Sequence, residues 1–195
     1  MADQLKGKRV AVLATHGFEQ DELTRPRKAL EDEGAKVDVV SLEAGRIRGW
    51  THKGWGDEVA VDRTLDQAKA DEYDALLLPG GVMNPDRLRM DPRAVQFVKR
   101  FFNDGKPIAV ICHGPWTLIE AGVVHGVTMT SWPSVKTDLT NAGARWVDME
   151  VAVDRGIVSS RKPDDIPAFN RKMIEEFVEG VHGGGGHRTM AGTHA

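Results

Sequence analysis

The chain has 195 residues, of which 41% are hydrophobic and 28% are charged, and both fractions are close to those of ordinary globular domains. Its formal net charge of -3 offers no basic field for phosphates or anionic lipid, so we expect neither a nucleic-acid partner nor a membrane partner. No run approaches the roughly 18 consecutive apolar residues of a membrane span, and Lys6, Lys8 and Arg9 lead into a strand-like run rather than a secretion signal. The composition therefore predicts a cytoplasmic protein with one hydrophobic core.

Short runs rich in leucine or β-branched residues alternate with amphipathic segments along the chain. The strand-like runs cover residues 10–14, 37–42, 75–78, 108–111, 127–130 and 151–159. Helices are predicted over residues 20–33, 91–104 and 115–121, and a last one starts at 160–165 and extends to about 177. This alternation predicts an α/β fold in three layers, with a mostly parallel sheet covered by helices on both faces.

Two stretches interrupt the alternation. Residues 45–56 are rich in Gly, Arg, Lys and Trp and predict a surface loop or hairpin. Four glycines at 183–186 precede a polar end that contains histidines, so we expect residues 1–180 to form one domain and 181–195 to form a flexible tail. Metal binding by the tail histidines is a less favoured alternative, and we predict neither a metal nor an organic cofactor.

Polar or glycine-rich residues directly follow three of the predicted strands. Residues 15–19 follow the first strand, 79–81 follow the strand at 75–78, and 112–115 follow the strand at 108–111. Open parallel sheets bind ligands in the crevice outside the carboxyl ends of their strands, because loops and helix N-termini meet there. The three loops therefore predict one site at that edge of the sheet.

Cys112 is the only cysteine. It lies between a predicted buried strand and a helix whose start is predicted by Gly114 and Pro115. This is the layout of a nucleophile elbow, in which a strained backbone projects the nucleophile and the next N–H helps to form an oxyanion hole. The helix N-terminus favours a thiolate, so we expect a pKa well below the free-thiol value of about 8.5. Gly80 and Gly81 allow close approach of the backbone, which makes Gly81 a candidate second donor. A small buried cysteine and a simple tight turn are the alternative interpretations.

Three acidic residues, Glu19, Asp21 and Glu22, follow the first loop. For Asp21 and Glu22 we expect only a favourable interaction with the N-terminus of the helix. For Glu19 we predict a position beside the Cys112 thiol, where the second anion raises the pKa of the carboxyl and the two groups share a proton. Such a carboxyl can shuttle protons near neutral pH.

The most specific motifs are Gly-Phe-Glu at 17–19, Leu-Pro-Gly-Gly at 78–81, Ala-Val-Ile-Cys-His-Gly-Pro at 109–115, Asn-Ala-Gly-Ala at 141–144 and Ser-Arg-Lys-Pro-Asp-Asp at 160–165. Together they resemble the PfpI-type intracellular proteases, relatives of the parkinsonism-associated deglycase and of class I glutamine amidotransferase domains, over about residues 8–178. The resemblance implies a flavodoxin-like fold with Cys112 as nucleophile and Glu19 as its protonated partner. It also implies that His113 joins a triad-like arrangement completed by Asp86 of a neighbouring subunit.

Two residues depart from the family pattern near the predicted site. His16 occupies a position where relatives often carry Asn or Asp. Trp132 occupies a position where the founding proteases of the family carry Tyr. We assign both to substrate binding, although Trp132 is equally well explained as a core aromatic. The segment at 82–84 is one residue longer than in some members, which affects the placement of Asp86.

The resemblance implies a stress-protective enzyme of the glyoxalase or deglycase type, which acts on a small carbonyl such as methylglyoxal or on a protein that it has modified. A cysteine peptidase that uses Cys112, His113 and Asp86 is an alternative. A second alternative is a non-enzymatic redox sensor or chaperone-like stress protein, in which Cys112 is oxidised. We expect a homodimer or larger homo-oligomer, because the resemblance places the acidic partner of His113 on another chain.

Overall fold

A computed structural model describes residues 3–181 of the chain. The strands are β1 (Arg9–Leu13), β2 (Phe18–Glu19), β3 (Lys36–Ser41), β4 (Arg46–Thr51), β5 (Gly54–Ala60), β6 (Arg63–Thr64), β7 (Ala75–Leu78), β8 (Ile108–Ile111), β9 (Thr128–Met129), β10 (Arg145–Trp146), β11 (Val151–Asp154) and β12 (Ile157–Ser160). The helices are α1 (Gln20–Asp32), α2 (Met83–Met90), α3 (Pro92–Asn103), α4 (Pro115–Glu120), α5 (Lys136–Asn141) and α6 (Ile166–Glu179).

The central sheet has seven strands in the order β11-β12-β8-β7-β1-β3-β6, and only β11 is antiparallel to its neighbour. Alternate residues of the inner strands enter two separate clusters of buried side chains, because successive side chains of a strand point to opposite faces. Ala11 and Val110 lie in the cluster that α3 and α4 cover, whereas Val12 and Ala109 lie in the one that α1 and α6 cover. The predicted three-layer α/β fold is confirmed.

The segment predicted as one strand over residues 151–159 forms the β11–β12 hairpin instead. Its two turn residues, Arg155 and Gly156, have φ values of 52° and 76°. Two positive φ values in succession fit the type of tight turn that joins antiparallel strands with a right-handed twist. The polar run at 154–156 therefore marks a turn, and the resulting β12 lies beside β8 at the edge of the site.

Several other segments, including the unpredicted α5, differ from the predicted strands and helices or refine them. The run at 127–130 contributes only β9, which pairs with β10 outside the central sheet. Residues 45–56 fall within the β4–β5 hairpin, which extends a separate sheet that includes β2. The helix α2 was not predicted, and the flexible tail expected at 181–195 lies, apart from residue 181, outside the described residues. Within residues 3–181, no helix is long and apolar enough to span a membrane.

Candidate active site

Cys112 occupies a sharp turn between β8 and α4. Its φ is 63°, which is strained for a residue with a side chain, and its backbone N–H donates to the Ser160 carbonyl at 3.1 Å. A Cβ on Gly114 would lie 2.8 Å from Val110 and 2.9 Å from the Ile111 carbonyl oxygen, so the turn requires glycine there. The predicted strained elbow is confirmed. The cysteine at this turn is buried, with only 7% of its surface exposed.

The carboxyl group beside Cys112 belongs to Glu22 and not to Glu19, which corrects the prediction from sequence. Glu22 is fully buried, and its Oε2 accepts from the Gly80 N–H at 2.9 Å. The carboxyl lies beside Cys112, since a Cβ on Gly80 would lie 2.5 Å from the Glu22 Oε2 and 2.6 Å from the Cys112 Cβ. Its Oε1 is buried and makes no hydrogen bond to another described residue. Glu19 is the residue before α1 and is partly exposed, with its carboxyl close enough to interact with His52.

The position of Glu22 on α1 explains the difference. Glu22, Pro26 and Leu30 are spaced by four residues and are all buried, so they share the face of α1 that packs towards the sheet. Asp21 lies one position earlier and is exposed. A glutamate in phase with the apolar stripe of a helix is the signal that would have identified Glu22 from the sequence.

Burial determines the ionisation of both groups. It raises the pKa of Glu22 to about 8, and the nearby charge of Glu19 acts in the same direction. Burial also raises the pKa of the Cys112 thiol, and the Glu22 carboxylate raises it further, against the backbone N–H groups of Gly81 and His113. The pKa of the Cys112 thiol is therefore raised and not depressed as expected, because burial and the adjacent Glu22 carboxylate outweigh the two backbone amides.

The thiol also contacts the imidazole of His113. The Cys112 Sγ lies 3.1 Å from the His113 Nδ1, and the Ser134 Oγ lies 3.3 Å from the His113 Nε2. The ring stacks on Trp132, with centroids 6.0 Å apart, and contacts Trp116 at 5.1 Å on centroids. Trp132 is 38% exposed, so it forms a wall beside the site rather than part of the core.

Gly80 and Gly81 lie close to the side chains of Glu22 and Cys112. A Cβ on Gly80 would lie 2.5 Å from the Glu22 Oε2 and 2.6 Å from the Cys112 Cβ. Gly81 has a φ of 77°, and its N–H and that of His113 both act to lower the pKa of the Cys112 thiol. The use of these two amides as an oxyanion hole stays a prediction.

Two predicted residues have other contacts within the chain. The Asp86 carboxylate accepts from Arg89 of the same helix at 2.8 Å and is 47% exposed. The Nδ1 of His16 accepts from the Arg48 N–H at 3.1 Å, and His16 lines a groove with Ser41, Ile47 and other residues of the β3–β4 region. The structure thus places His16 against the hairpin rather than at the thiol.

Trp116 and Ser134 were not predicted from the sequence. Trp116 lies in α4, directly after β8, and Ser134 lies between β9 and α5. Neither residue type at its position carries a recognisable motif. The Arg89 guanidinium lies 4.7 Å from the Trp116 ring centroid, and the Trp116 indole N–H donates to Asp138 at 2.8 Å. In residues 3–181 no group of three His, Cys, Asp or Glu side chains is arranged to hold a metal ion.

A model of the DJ-1/PfpI family matches residues 8–176. The chain belongs to this family. It is 45% identical over 170 residues to General stress protein 18 of Bacillus subtilis, and 44% identical over 170 residues to Protein/nucleic acid deglycase 2 of Escherichia coli. Each alignment covers 86% of this chain and 96% of the relative.

Solved structures support the same assignment. The crystal structure of Drosophila melanogaster DJ-1beta superposes with a TM-score of 0.80 at 27% identity, and the match covers 91% of each chain. The family resemblance inferred from the motifs around Cys112 is thus confirmed, and with it the fold.

Proposed function

We propose that this DJ-1/PfpI family member is a cysteine-dependent enzyme that repairs or removes reactive carbonyls, as a deglycase or glyoxalase. The observation that supports this most is the Glu22 carboxyl, which is buried beside Cys112 and has a pKa raised to about 8. A carboxyl with this pKa can hold a proton near neutral pH and still release it, which is what proton transfer within a bound substrate requires.

The first step is addition of sulfur to an aldehyde. The Glu22 carboxylate takes the proton of the Cys112 thiol as the sulfur attacks the aldehyde carbon of an α-oxoaldehyde. A C–S bond forms while the carbonyl π electrons move to oxygen. We propose that the backbone N–H groups of Gly81 and His113 stabilise that oxyanion. The oxyanion then takes the proton held by Glu22 and becomes the hydroxyl of a hemithioacetal, which leaves Glu22 as a carboxylate for the next step.

The second step moves hydrogen between two carbons of the same substrate. The Glu22 carboxylate removes the proton from the sulfur-bearing carbon and returns a proton to the neighbouring carbon, so the first carbon is oxidised and the second is reduced. The product is a thioester of a 2-hydroxy acid, which water hydrolyses to the acid and the free Cys112 thiol. No external oxidant or organic cofactor is needed, because oxidation and reduction balance within the substrate.

The relatives support this assignment by their names. One is called a protein/nucleic acid deglycase and another a general stress protein. We therefore propose that a protein or small molecule modified by an oxoaldehyde is the substrate here, and that the enzyme works in the cytoplasm. A hemiaminal formed with an amine enters the same sequence: the Cys112 sulfur forms a bond to its carbon, the C–N bond breaks, and the amine leaves with the proton that Glu22 took from the thiol, which gives the same hemithioacetal.

A cysteine peptidase is the second candidate, and the contact of 3.1 Å between the Cys112 Sγ and the His113 Nδ1 favours it. Peptide hydrolysis requires a proton donor for the leaving amine, which would be His113 as imidazolium. Burial lowers the pKa of His113, so the imidazolium is scarce at neutral pH. We therefore favour the carbonyl reaction over peptide hydrolysis.

A redox sensor is a further alternative, since it needs only the thiol of Cys112 and an oxidant.

We also propose that the working unit is at least a homodimer, in which Asp86 of a second chain completes the surroundings of His113. Asp86 is about half exposed on α2 and is held by Arg89, whose guanidinium lies on Trp116, which in turn contacts His113. A carboxylate at this surface is available to a second copy of the chain. The role of Asp86 is therefore tested by subunit mixing.

The decisive experiment compares the turnover of methylglyoxal, of a glycated peptide and of casein. Cys112→Ser should abolish every activity, and Glu22→Gln should reduce carbonyl turnover by at least about a hundredfold, the usual size of a general acid–base contribution. Glu19→Gln is the matched control at the start of the same helix and should retain most of it. Casein cleavage without carbonyl turnover would instead identify a peptidase, and turnover unaffected by Glu22→Gln would reject the mechanism.

A further inference from the structure

A second groove lies outside the carboxyl ends of β1 and β3, and its walls do not include Cys112. In the central sheet, β8 is two strands away from β1 and three from β3. Neighbouring strands are about 4.8 Å apart, so the groove is centred roughly 10 Å or more from the thiol along this edge of the sheet. Its volume of about 130 Å³ leaves room for a phosphate group, because about 10–15 Å³ suffices for one water molecule. Open parallel sheets bind their ligands at this edge.

Two residues that line the groove carry hydroxyl groups without a hydrogen-bond partner. Thr15 follows β1 and is 4% exposed, and Ser41 ends β3 and is 1% exposed. Within residues 3–181, neither the Thr15 Oγ1 nor the Ser41 Oγ forms a hydrogen bond. An unpaired hydroxyl in a buried position costs free energy, which a ligand oxygen that accepts a hydrogen bond would recover. The two hydroxyls are therefore candidate donors to a ligand.

His16 supplies a third donor, because its tautomer is fixed by a group that can only donate. The Arg48 backbone N–H donates to the His16 Nδ1 at 3.1 Å, so this ring nitrogen carries a lone pair and no hydrogen. The hydrogen of the imidazole is then on Nε2. This second nitrogen forms no hydrogen bond with another described residue. Since the His16 side chain lines the groove, its Nε2 N–H is available to a ligand there.

The charged residues of the groove favour an anion. Arg46 of β4 and Arg87 of α2 line it together with Glu43, so two guanidinium groups and one carboxylate leave a net charge of +1. Arg46 already donates to Glu58 at 3.0 Å. The Arg87 guanidinium makes no ion pair or hydrogen bond in the part of the chain that the structure describes. Arg87 is therefore the cation that an anionic ligand would engage first.

We propose that this groove binds a phosphate group, either as inorganic phosphate or as part of a phosphate ester. Its donors are the Arg87 guanidinium, the His16 Nε2 N–H and the hydroxyls of Thr15 and Ser41. They come from the loop after β1, the end of β3 and the helix α2, and so approach the ligand from different directions. A tetrahedral phosphate can accept from all of these directions, whereas a planar carboxylate with two oxygens cannot. The site does not use Cys112, so it is independent of the carbonyl reaction.

Binding is tested by proton–nitrogen NMR titration with inorganic phosphate at constant ionic strength. We expect saturable shifts of the amides that line the groove. Arg87→Gln should weaken binding about tenfold or more, and Ser41→Ala about three- to tenfold, because they remove a charged and a neutral hydrogen bond. Glu43→Gln should strengthen binding about two- to fivefold, since it removes a like charge. Arg171→Gln is the matched control, because it removes an exposed guanidinium of α6 without an ion pair and should bind phosphate as the wild type does.

Further ligands and one further variant separate the possible outcomes. Tighter binding of glycerol 3-phosphate than of inorganic phosphate would support a phosphate ester as the ligand, and the reverse order would support free phosphate. Acetate that binds as tightly as phosphate would overturn the assignment, and so would full phosphate affinity in both Arg87→Gln and Ser41→Ala. Cys112→Ser should bind phosphate as the wild type does. Loss of binding in that variant would place the anion at the thiol and overturn the proposal.

Discussion

Replacing Glu22 by Gln should make the protein more stable at alkaline pH. The glutamine keeps the shape of the side chain, and its oxygen still accepts from the Gly80 N–H, which lies 2.9 Å from the Glu22 Oε2. It removes only the titrating proton. The folded protein raises the pKa of this carboxyl from 4.5 to about 8, chiefly through burial, so folding favours the protonated form.

The sign of the pH dependence follows from the number of protons bound. Between pH 4.5 and about 8 the folded state keeps the Glu22 proton that the unfolded state has lost, so the free energy of unfolding falls as the pH rises. At about 1.4 kcal/mol for each pH unit, the loss amounts to roughly 5 kcal/mol across this range. Below the unfolded value the contribution of Glu22 to stability is fully present, and above about pH 8 it is fully lost.

Urea unfolding at intervals from pH 5 to pH 9 measures this difference. Glu22→Gln should match the wild type near pH 5 and exceed it increasingly towards pH 9. Asp21→Asn is the control, since Asp21 is exposed in the same first turn and should leave the pH dependence parallel to that of the wild type. A difference between Glu22→Gln and the wild type that stays constant across this range would refute the raised pKa of Glu22.

Three further predictions concern the site and its assembly. Gly80→Ala should destabilise the fold by about 1–3 kcal/mol in urea unfolding, because its Cβ would lie 2.6 Å from the Cys112 Cβ; unchanged stability would mean that the loop adapts freely. Mild peroxide should add oxygen at Cys112 up to the sulfinic acid, seen by intact mass and absent in Cys112→Ser, whereas an unmodified wild type would indicate an inaccessible thiol. Mixing inactive Asp86→Ala and Cys112→Ser subunits should restore part of the activity; exchange of subunits with no recovery would remove Asp86 from the site.

The elbow around Cys112 could be inferred from the sequence because it is a local structure. A buried strand, a cysteine, and a helix marked by Gly114 and Pro115 are contiguous, and their order alone dictates a strained turn at the carboxyl edge of a parallel sheet. The positions of Gly81 and the His113 N–H follow from the same rule, since loops after adjacent parallel strands meet at that edge. The alternating pattern of buried strands and amphipathic helices determined the fold for the same reason.

The choice of the acid depended on the tertiary structure. Glu19 and Glu22 are three residues apart, and the rotation of α1 against the sheet decides which of them faces Cys112. Ser134 approaches His113 from 21 residues away in sequence, through a loop whose course no local pattern predicts. The pKa values of Glu22 and Cys112 likewise depend on how much water the packed helices exclude. The sequence alone therefore located the cysteine at the elbow, while three-dimensional packing placed the Glu22 carboxyl beside it and set the ionisation of both groups.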